Sequence, residues 1–176
     1  MSDARLTIRG LRVSLRGTGR AQDERSDRPI LRGIDLDIAA GTITGLAGES
    51  GCGKSLTALA LLGLNDPRIF RTQCELATLD GQVLPLVDPG AMRPFRGRDL
   101  AMVFQDPAAA LDPVFTVGSQ LRRALIRQTG ASKAAAQQRS LQALADVGFP
   151  RPELIAARNA HELSGGMRQL CLIAMA

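Results

Sequence analysis

Apolar and polar side chains alternate along residues 6–15, with a break at Gly10, and Ile34, Leu36 and Ile38 alternate with Asp35 and Asp37. A period of two places successive side chains on opposite faces of a pleated chain, so both segments read as half-buried strands. Residues 16–29 between them mix charges of both signs with glycine and proline, the composition of a solvated hairpin connection. Residues 42–47 (TITGLA) then predict a short buried strand that runs into a glycine-rich turn, with an apolar helix from Ser55 to Leu64 behind it.

Residues 65–98 are rich in proline, glycine and polar side chains, with weak strand signals at 74–79 and 82–87. The apolar run 100–104 (LAMVF) predicts another buried strand, closed by Gln105 and a turn at Asp106-Pro107. Two helices follow, over 119–128 and 132–147. The second has Ser132 as its N-cap, Leu141, Leu144 and Val147 on one face, and Gly148 as its stop. The order is α/β with a helical middle.

A chain of 176 residues that is 45% hydrophobic and 22% charged has enough apolar surface for one compact core. Its longest apolar stretch, residues 56–64, is interrupted by Thr57 and Gly63 and falls far short of the ~20 residues that span a bilayer. The N-terminus lacks a hydrophobic block and a small-residue cleavage site, which leads to the expectation of a cytoplasmic chain. Cys52, Cys74 and Cys171 form no CxxC pair and read as free thiols. The net charge of +5 is almost all arginine, and without Trp or Tyr to stack on bases it weighs against a nucleic-acid partner.

Residues 48–55, GESGCGKS, match G-x-x-x-x-G-K-[ST] in the strand-to-helix setting that this motif needs. Gly48, Gly51 and Gly53 let the backbone curl so that its amides point inward at phosphate oxygens, and the following helix adds the positive end of its dipole. Lys54 would reach the β- and γ-phosphates and Ser55 would ligate Mg²⁺. Glu49, Ser50, Cys52 and Leu56 complete the nucleotide-binding segment. Cys52, at the N-terminal end of a helix, is a candidate for thiol modification that interferes with nucleotide binding. A phosphate loop alone leaves several NTPase classes open; the chain has neither an N-K-x-D nor a D-x-x-G motif, against a GTPase.

The choice is made by LSGGMRQ at residues 163–169, immediately before an apolar helix, together with Gln105 after its apolar run. LSGGMRQ resembles the signature motif of the ATP-binding cassette (ABC) family, and Gln105 is similar to that family's Q-loop glutamine. The stretches AMVFQDPAAALDPVFTVGSQL and HELSGGMRQ are similar to ATPase subunits of peptide and nickel importers. The resemblance runs along essentially the whole chain.

The resemblance implies an α/β P-loop NTPase core with an N-terminal antiparallel β subdomain and an inserted helical subdomain. It divides one ABC ATPase domain into residues 1–104, the β subdomain and P-loop core; 105–162, the Q-loop and helical subdomain; and 163–176, the signature and the start of its helix. It implies ATP and Mg²⁺ as cofactors, with Gln105 as a catalytic residue contacting Mg²⁺ or the attacking water. Leu163, Ser164, Gly165, Gly166 and Gln169 would face ATP held by a second ATPase subunit. The further partners implied are two membrane-spanning permease subunits and, indirectly, a substrate-binding protein, at the cytoplasmic face of the inner membrane. The transported solute would be a small one such as a di- or oligopeptide or nickel.

The family's Asp-Glu strand, D-loop and switch histidine follow the signature helix, so the C-terminal part of the core is expected to be absent from this chain, and the chain alone is expected to hydrolyse ATP poorly. Leu170, Leu172, Ile173 and Met175 are then expected to lack a covering layer. The adjacent Asp23 and Glu24 lie in a polar loop, and no Phe, Tyr or Trp precedes Phe70 to stack on adenine. His161, ahead of the signature, reads as a structural residue at its entrance. Two other readings are a non-hydrolysing nucleotide-binding fragment and a DNA-repair-type ABC ATPase. The short stretch between Gln105 and Leu163, without heptads, disfavours the latter.

Overall fold

Gly10 sets the geometry of the first strand. In β1 (Ala4–Leu15), Leu6 and Ile8 are buried at even positions and Leu11 and Val13 at odd ones, so the inward face changes parity at Gly10. A bulge does this: the pairing of β1 with β2 (Arg28–Ala39) shifts register between Ile8 and Leu11. Gly10 takes φ 61 there, a left-handed conformation, and its N–H donates to the Asp35 carboxylate at 2.7 Å. The computed structural model describes residues 4–17, 27–106 and 110–176.

β1 and β2 form the expected antiparallel hairpin, from Leu15 opposite Arg28 to Ala4 opposite Ala39. Most of the connection, Asp23 and Glu24 included, lies outside the described residues, as does Pro107 of the expected turn. The other edge of β1 is shared. Its second half pairs with β3 (Phe70–Gln73), and its first half with β4 (Leu76–Leu79), which continues into β5 (Gln82–Val83). The sheet is antiparallel throughout. β4 and β5 are joined at Asp80 (φ 49) and Gly81 (φ 78), and two consecutive positive φ values mark the Asp-Gly hairpin turn.

Two expected strands are not strands. Residues 42–47 are irregular and exposed, with Ile43 at 102% and Leu46 at 56% of full accessibility. Residues 101–104 are likewise irregular, with Phe104 exposed. An apolar run becomes a strand only when at least one neighbouring strand exchanges backbone hydrogen bonds with it. No strand among the described residues pairs with either run.

The first helix, α1 (Lys54–Leu61), ends before the expected Leu64. Gly63, at φ 59, donates its N–H to Ala60 O, and Leu64 N–H reaches back to Leu59 O. This is the Schellman stop, in which glycine supplies the left-handed residue. The Arg96 guanidinium then bonds the carbonyls of Leu62 and Gly63, both at 2.6 Å, and that of Pro89 at 3.0 Å.

Contacts divide the chain into two compact units, Met1–Arg96 and Gly97–Ala176. The second contains the two expected helices, α2 (Val117–Thr129) and α3 (Lys133–Asp146), N-capped by the hydroxyls of Thr116 and Ser132. A short α4 (Pro152–Ala156) and a 3-10 turn (Ala160–Glu162) lead into α5 (Gly165–Met175). Their core gathers Val117, Leu121, Leu144, Phe149, Leu163 and Cys171, with Leu141 and Val147 packed on it. The expectation that the end of the chain lacks cover is corrected for three of four residues. Leu172 is buried and Leu170 and Met175 pack against the core, leaving Ile173 exposed, because α5 turns one face onto the other helices of its unit. No helix among the described residues is long and apolar enough to cross a membrane.

Candidate functional site

The glycine-rich loop lies in the first unit and ends on a helix whose start carries no side-chain cap. Gly53 is the N-cap of α1, with φ 104 and ψ 5, and it has no side chain with which to bond the first-turn amides. The first intrahelical bond runs from Thr57 N–H to Gly53 O at 2.8 Å, so the N–H groups of Lys54, Ser55 and Leu56 have no acceptor within the helix. The helices α2, α3 and α5 each close the same gap with a hydroxyl, from Thr116, Ser132 and Ser164. At α1 the donors and the positive end of the dipole are left for an anion.

Gly53 is favoured by its conformation, φ 104, and a Cβ there would meet Leu31 Cδ2 at 2.6 Å, so that side chain would have to shift. A Cβ at Gly48 would meet Cys52 Sγ at 2.8 Å. Gly51 adopts φ 81, and Cys52 N–H closes the turn on Glu49 O at 3.3 Å. The Lys54 ammonium folds back into the loop, bonding Gly48 O at 2.8 Å and Glu49 O at 2.6 Å, with Cys52 Sγ 3.7 Å away. The loop therefore holds its single cation beside the unsatisfied amides. Glu49, Ser50 and the Ser55 residue are exposed, while Leu56 is half-buried. Thr57, which the sequence reading did not single out, adds a hydroxyl bond to Gly53 O at 3.0 Å and pins the N-cap.

The residues present fit a polyphosphate: open amides, one lysine and no acidic side chain in the first turn of α1. The Ser55 hydroxyl, at the second position of the helix, is the oxygen ligand this loop offers a divalent cation.

Gln105 and the signature residues lie in the second unit. Gln105 is exposed in the irregular segment after residue 104, while Val103 packs against the helical core. At the signature, Leu163 is buried and the next three residues, Ser164, Gly165 and Gly166, are exposed. Ser164 accepts from Met167 N–H at 3.3 Å as N-cap of α5, and its own O–H remains available as a donor. Gly165 and Gly166 occupy the first helical positions, where a Cβ would meet nothing within 4 Å, so the helix start is open to close approach. Gln169 is half-buried on the same helix.

The chain that presents this helix start is braced from behind. The Glu162 carboxylate accepts Asn159 N–H at 2.7 Å, Val117 N–H donates to Arg158 O at 2.8 Å, and Arg168 Nε donates to Ala160 O at 2.8 Å. His161 is exposed in this turn, and the bracing is carried by its neighbours, against the expectation of a structural role for the imidazole.

A family model described as ABC transporter matches residues 31–176. The dipeptide transport ATP-binding protein DppD of Bacillus subtilis is 40% identical over 146 residues, covering 83% of this chain and 44% of that protein. The glutathione import ATP-binding protein GsiA of Salmonella typhimurium is 37% identical, covering 97% of this chain and 27% of that protein. The chain thus spans less than half the length of these curated relatives. In fold, it matches the dimeric post-hydrolysis structure of the ATP-binding cassette MJ0796 bound to ADP and Pi with a TM-score of 0.76, at 22% identity, over 97% of this chain and 68% of that one. An open phosphate loop on an uncapped helix, an exposed LSGG helix start and a family match over most of the length agree: the chain belongs to the ABC transporter family.

Proposed function

We propose that this chain is the ATP-binding part of an ABC importer subunit, coupling nucleotide binding and hydrolysis to the uptake of a peptide-type solute. The observation that carries the proposal is the phosphate loop. Gly53 leaves the start of α1 uncapped, and Lys54 is held within the loop by two carbonyls that a triphosphate would displace. In this reading, residues 48–56 bind ATP, with the Ser55 hydroxyl toward Mg²⁺. Mg²⁺, when bound, neutralises charge that develops on the phosphates. Lys54 releases Gly48 O and Glu49 O and turns to the β- and γ-phosphate oxygens. The first amides of α1 orient the phosphate chain.

Leu163, Ser164, Gly165, Gly166 and Gln169 then face ATP held by a second ATPase subunit, using a second helix start with its amides exposed. The dimeric MJ0796 cassette supports this arrangement by its fold. The proposed site of action is the cytoplasmic face of the inner membrane, with two permease subunits and a substrate-binding protein. The relatives' names, which speak of dipeptide and glutathione, support a peptide-type solute over nickel.

The test is calorimetry of Mg-ATP against the 176-residue chain, with Lys54→Ala as control and phosphate release followed in parallel. The expected result is saturable binding that Lys54→Ala weakens at least ~100-fold, the scale of losing a charge-assisted contact to phosphate. Absence of binding by folded wild-type chain sinks the proposal. The phosphate-release arm reports whether hydrolysis also belongs to this stretch.

A further inference from the structure

Five arginines of the first unit pair with carboxylates. Arg5 pairs with Asp80, Arg9 with Asp37, Arg12 with Glu75, Arg68 with Asp66 and Arg71 with Asp27, at 2.6–3.3 Å. The α2–α3 hairpin of the second unit has no carboxylate of its own before Asp146, the last residue of α3. Residues 113–145 contain no Asp or Glu, while Arg122, Arg123, Arg127, Lys133 and Arg139 all fall within them. Arg122 bonds the neutral Gln137 carboxamide at 2.7 Å, and Arg123 lies 4.0 Å over the Phe115 ring. No ion pair reaches either arginine or Lys133 among the described residues.

These three basic residues share one pocket wall. Arg122, Arg123 and Lys133, with Ser119 and Ile126, line a cavity of about 340 Å³ between the two helices. Gathering like charges without a counter-charge is unfavourable, and an anion in the cavity would reverse the sign of that energy. Guanidinium and ammonium groups suit the several oxygens of a phosphate better than the two of a carboxylate. The Ile126 side chain, 36% exposed, gives the rim an apolar edge.

We propose that the cavity lined by Ser119, Arg122, Arg123 and Lys133 is a second anion site, distinct from the phosphate loop, that takes a phosphate group carried by a small solute or by an anionic lipid headgroup. The site stands on the charge and shape of the hairpin and is independent of the nucleotide reading.

The test uses the 176-residue chain with Lys54→Ala, which silences the phosphate loop. One arm titrates inorganic phosphate by calorimetry; the other floats the chain with vesicles of phosphatidylglycerol and phosphatidylcholine against phosphatidylcholine alone. Arg122→Gln with Arg123→Gln is expected to weaken binding at least ~10-fold. Arg127→Gln with Arg139→Gln, which removes the same charge outside the cavity, is expected to change it by less than ~2-fold. Should the first pair melt early, Arg123→Gln with Lys133→Gln keeps the Arg122–Gln137 bond and replaces it. Phosphate binding without flotation identifies a soluble ligand, and flotation without phosphate binding identifies a headgroup; both support the site. Failure of both probes, or equal loss in the two paired variants, overturns it.

Discussion

Asp27 closes the base of the first hairpin by accepting from Arg71 Nε at 2.6 Å and Gly17 N–H at 3.1 Å. The Arg71 hydrogen bond, and then the backbone one, hold its carboxyl below the ordinary value. Arg9 does the same for Asp37, and Arg68 lowers Asp66 to about 2. Folded values below unfolded ones contribute stability that is present above the unfolded value, and this is lost as pH falls through the folded one. Asp27→Asn is therefore expected to lower the thermal midpoint by a few degrees at neutral pH and to flatten the fall in stability on the acid side, measured by melting from pH 7 to pH 2. Cys171 has the opposite sign. Burial pushes its thiol up to about 11, so its contribution is complete below about 9 and lost as pH rises through 11. Cys171→Ala should flatten that alkaline decline at a cost of about 1 kcal/mol at neutral pH. Cys52 is exposed and lies against Lys54, so iodoacetamide should modify it ahead of Cys171 and weaken Mg-ATP binding. Undiminished binding by chain shown by mass spectrometry to carry the adduct would refute that.

At the scale of elements, two contacts brace a helix end and set how near two helices come. Arg96 bonds three carbonyls around the end of α1, and Arg96→Ala is expected to cost about 2 kcal/mol by urea unfolding, the range for hydrogen bonds to a charged group. Gly118 in α2 lies under Ala156 of α4, and an added Cβ would sit 2.8 Å from both the Ala156 carbonyl oxygen and its Cβ. Gly118→Ala is expected to destabilise the second unit by about 1–3 kcal/mol through overpacking, partly offset by about 1 kcal/mol of helix propensity. A stabilising outcome would mean that α4 gives way without cost. Neither contact announces itself in the sequence, because Arg96 and Gly118 acquire their roles from residues 34 and 38 positions away.

Across the whole molecule, hydrophobicity and burial part company. Leu11 and Ile43 both sit in apolar segments that read as strands, yet Leu11 is fully buried and Ile43 fully exposed. Leu11→Ala is expected to cost about 2–5 kcal/mol, and Ile43→Ala to stay within about 0.5 kcal/mol. Urea titrations of the two variants decide this, and a large loss at Ile43 would show that residues 42–47 are covered in solution.

What the sequence determined by itself is local: the GESGCGKS and LSGGMRQ motifs, the Ser132 N-cap, the Gly148 stop and the alternating faces of β1 and β2 each depend on a few adjacent residues. The Asp80-Gly81 hairpin is equally local, carried by its dipeptide. Tertiary structure decided which apolar runs became strands, how closely Gly118 approaches Ala156, and that three basic residues line one cavity. Backbone hydrogen bonds between strands, the crowding that excludes a Cβ and the grouping of basic residues from two helices all depend on distances between residues remote in sequence, and only the folded chain sets those.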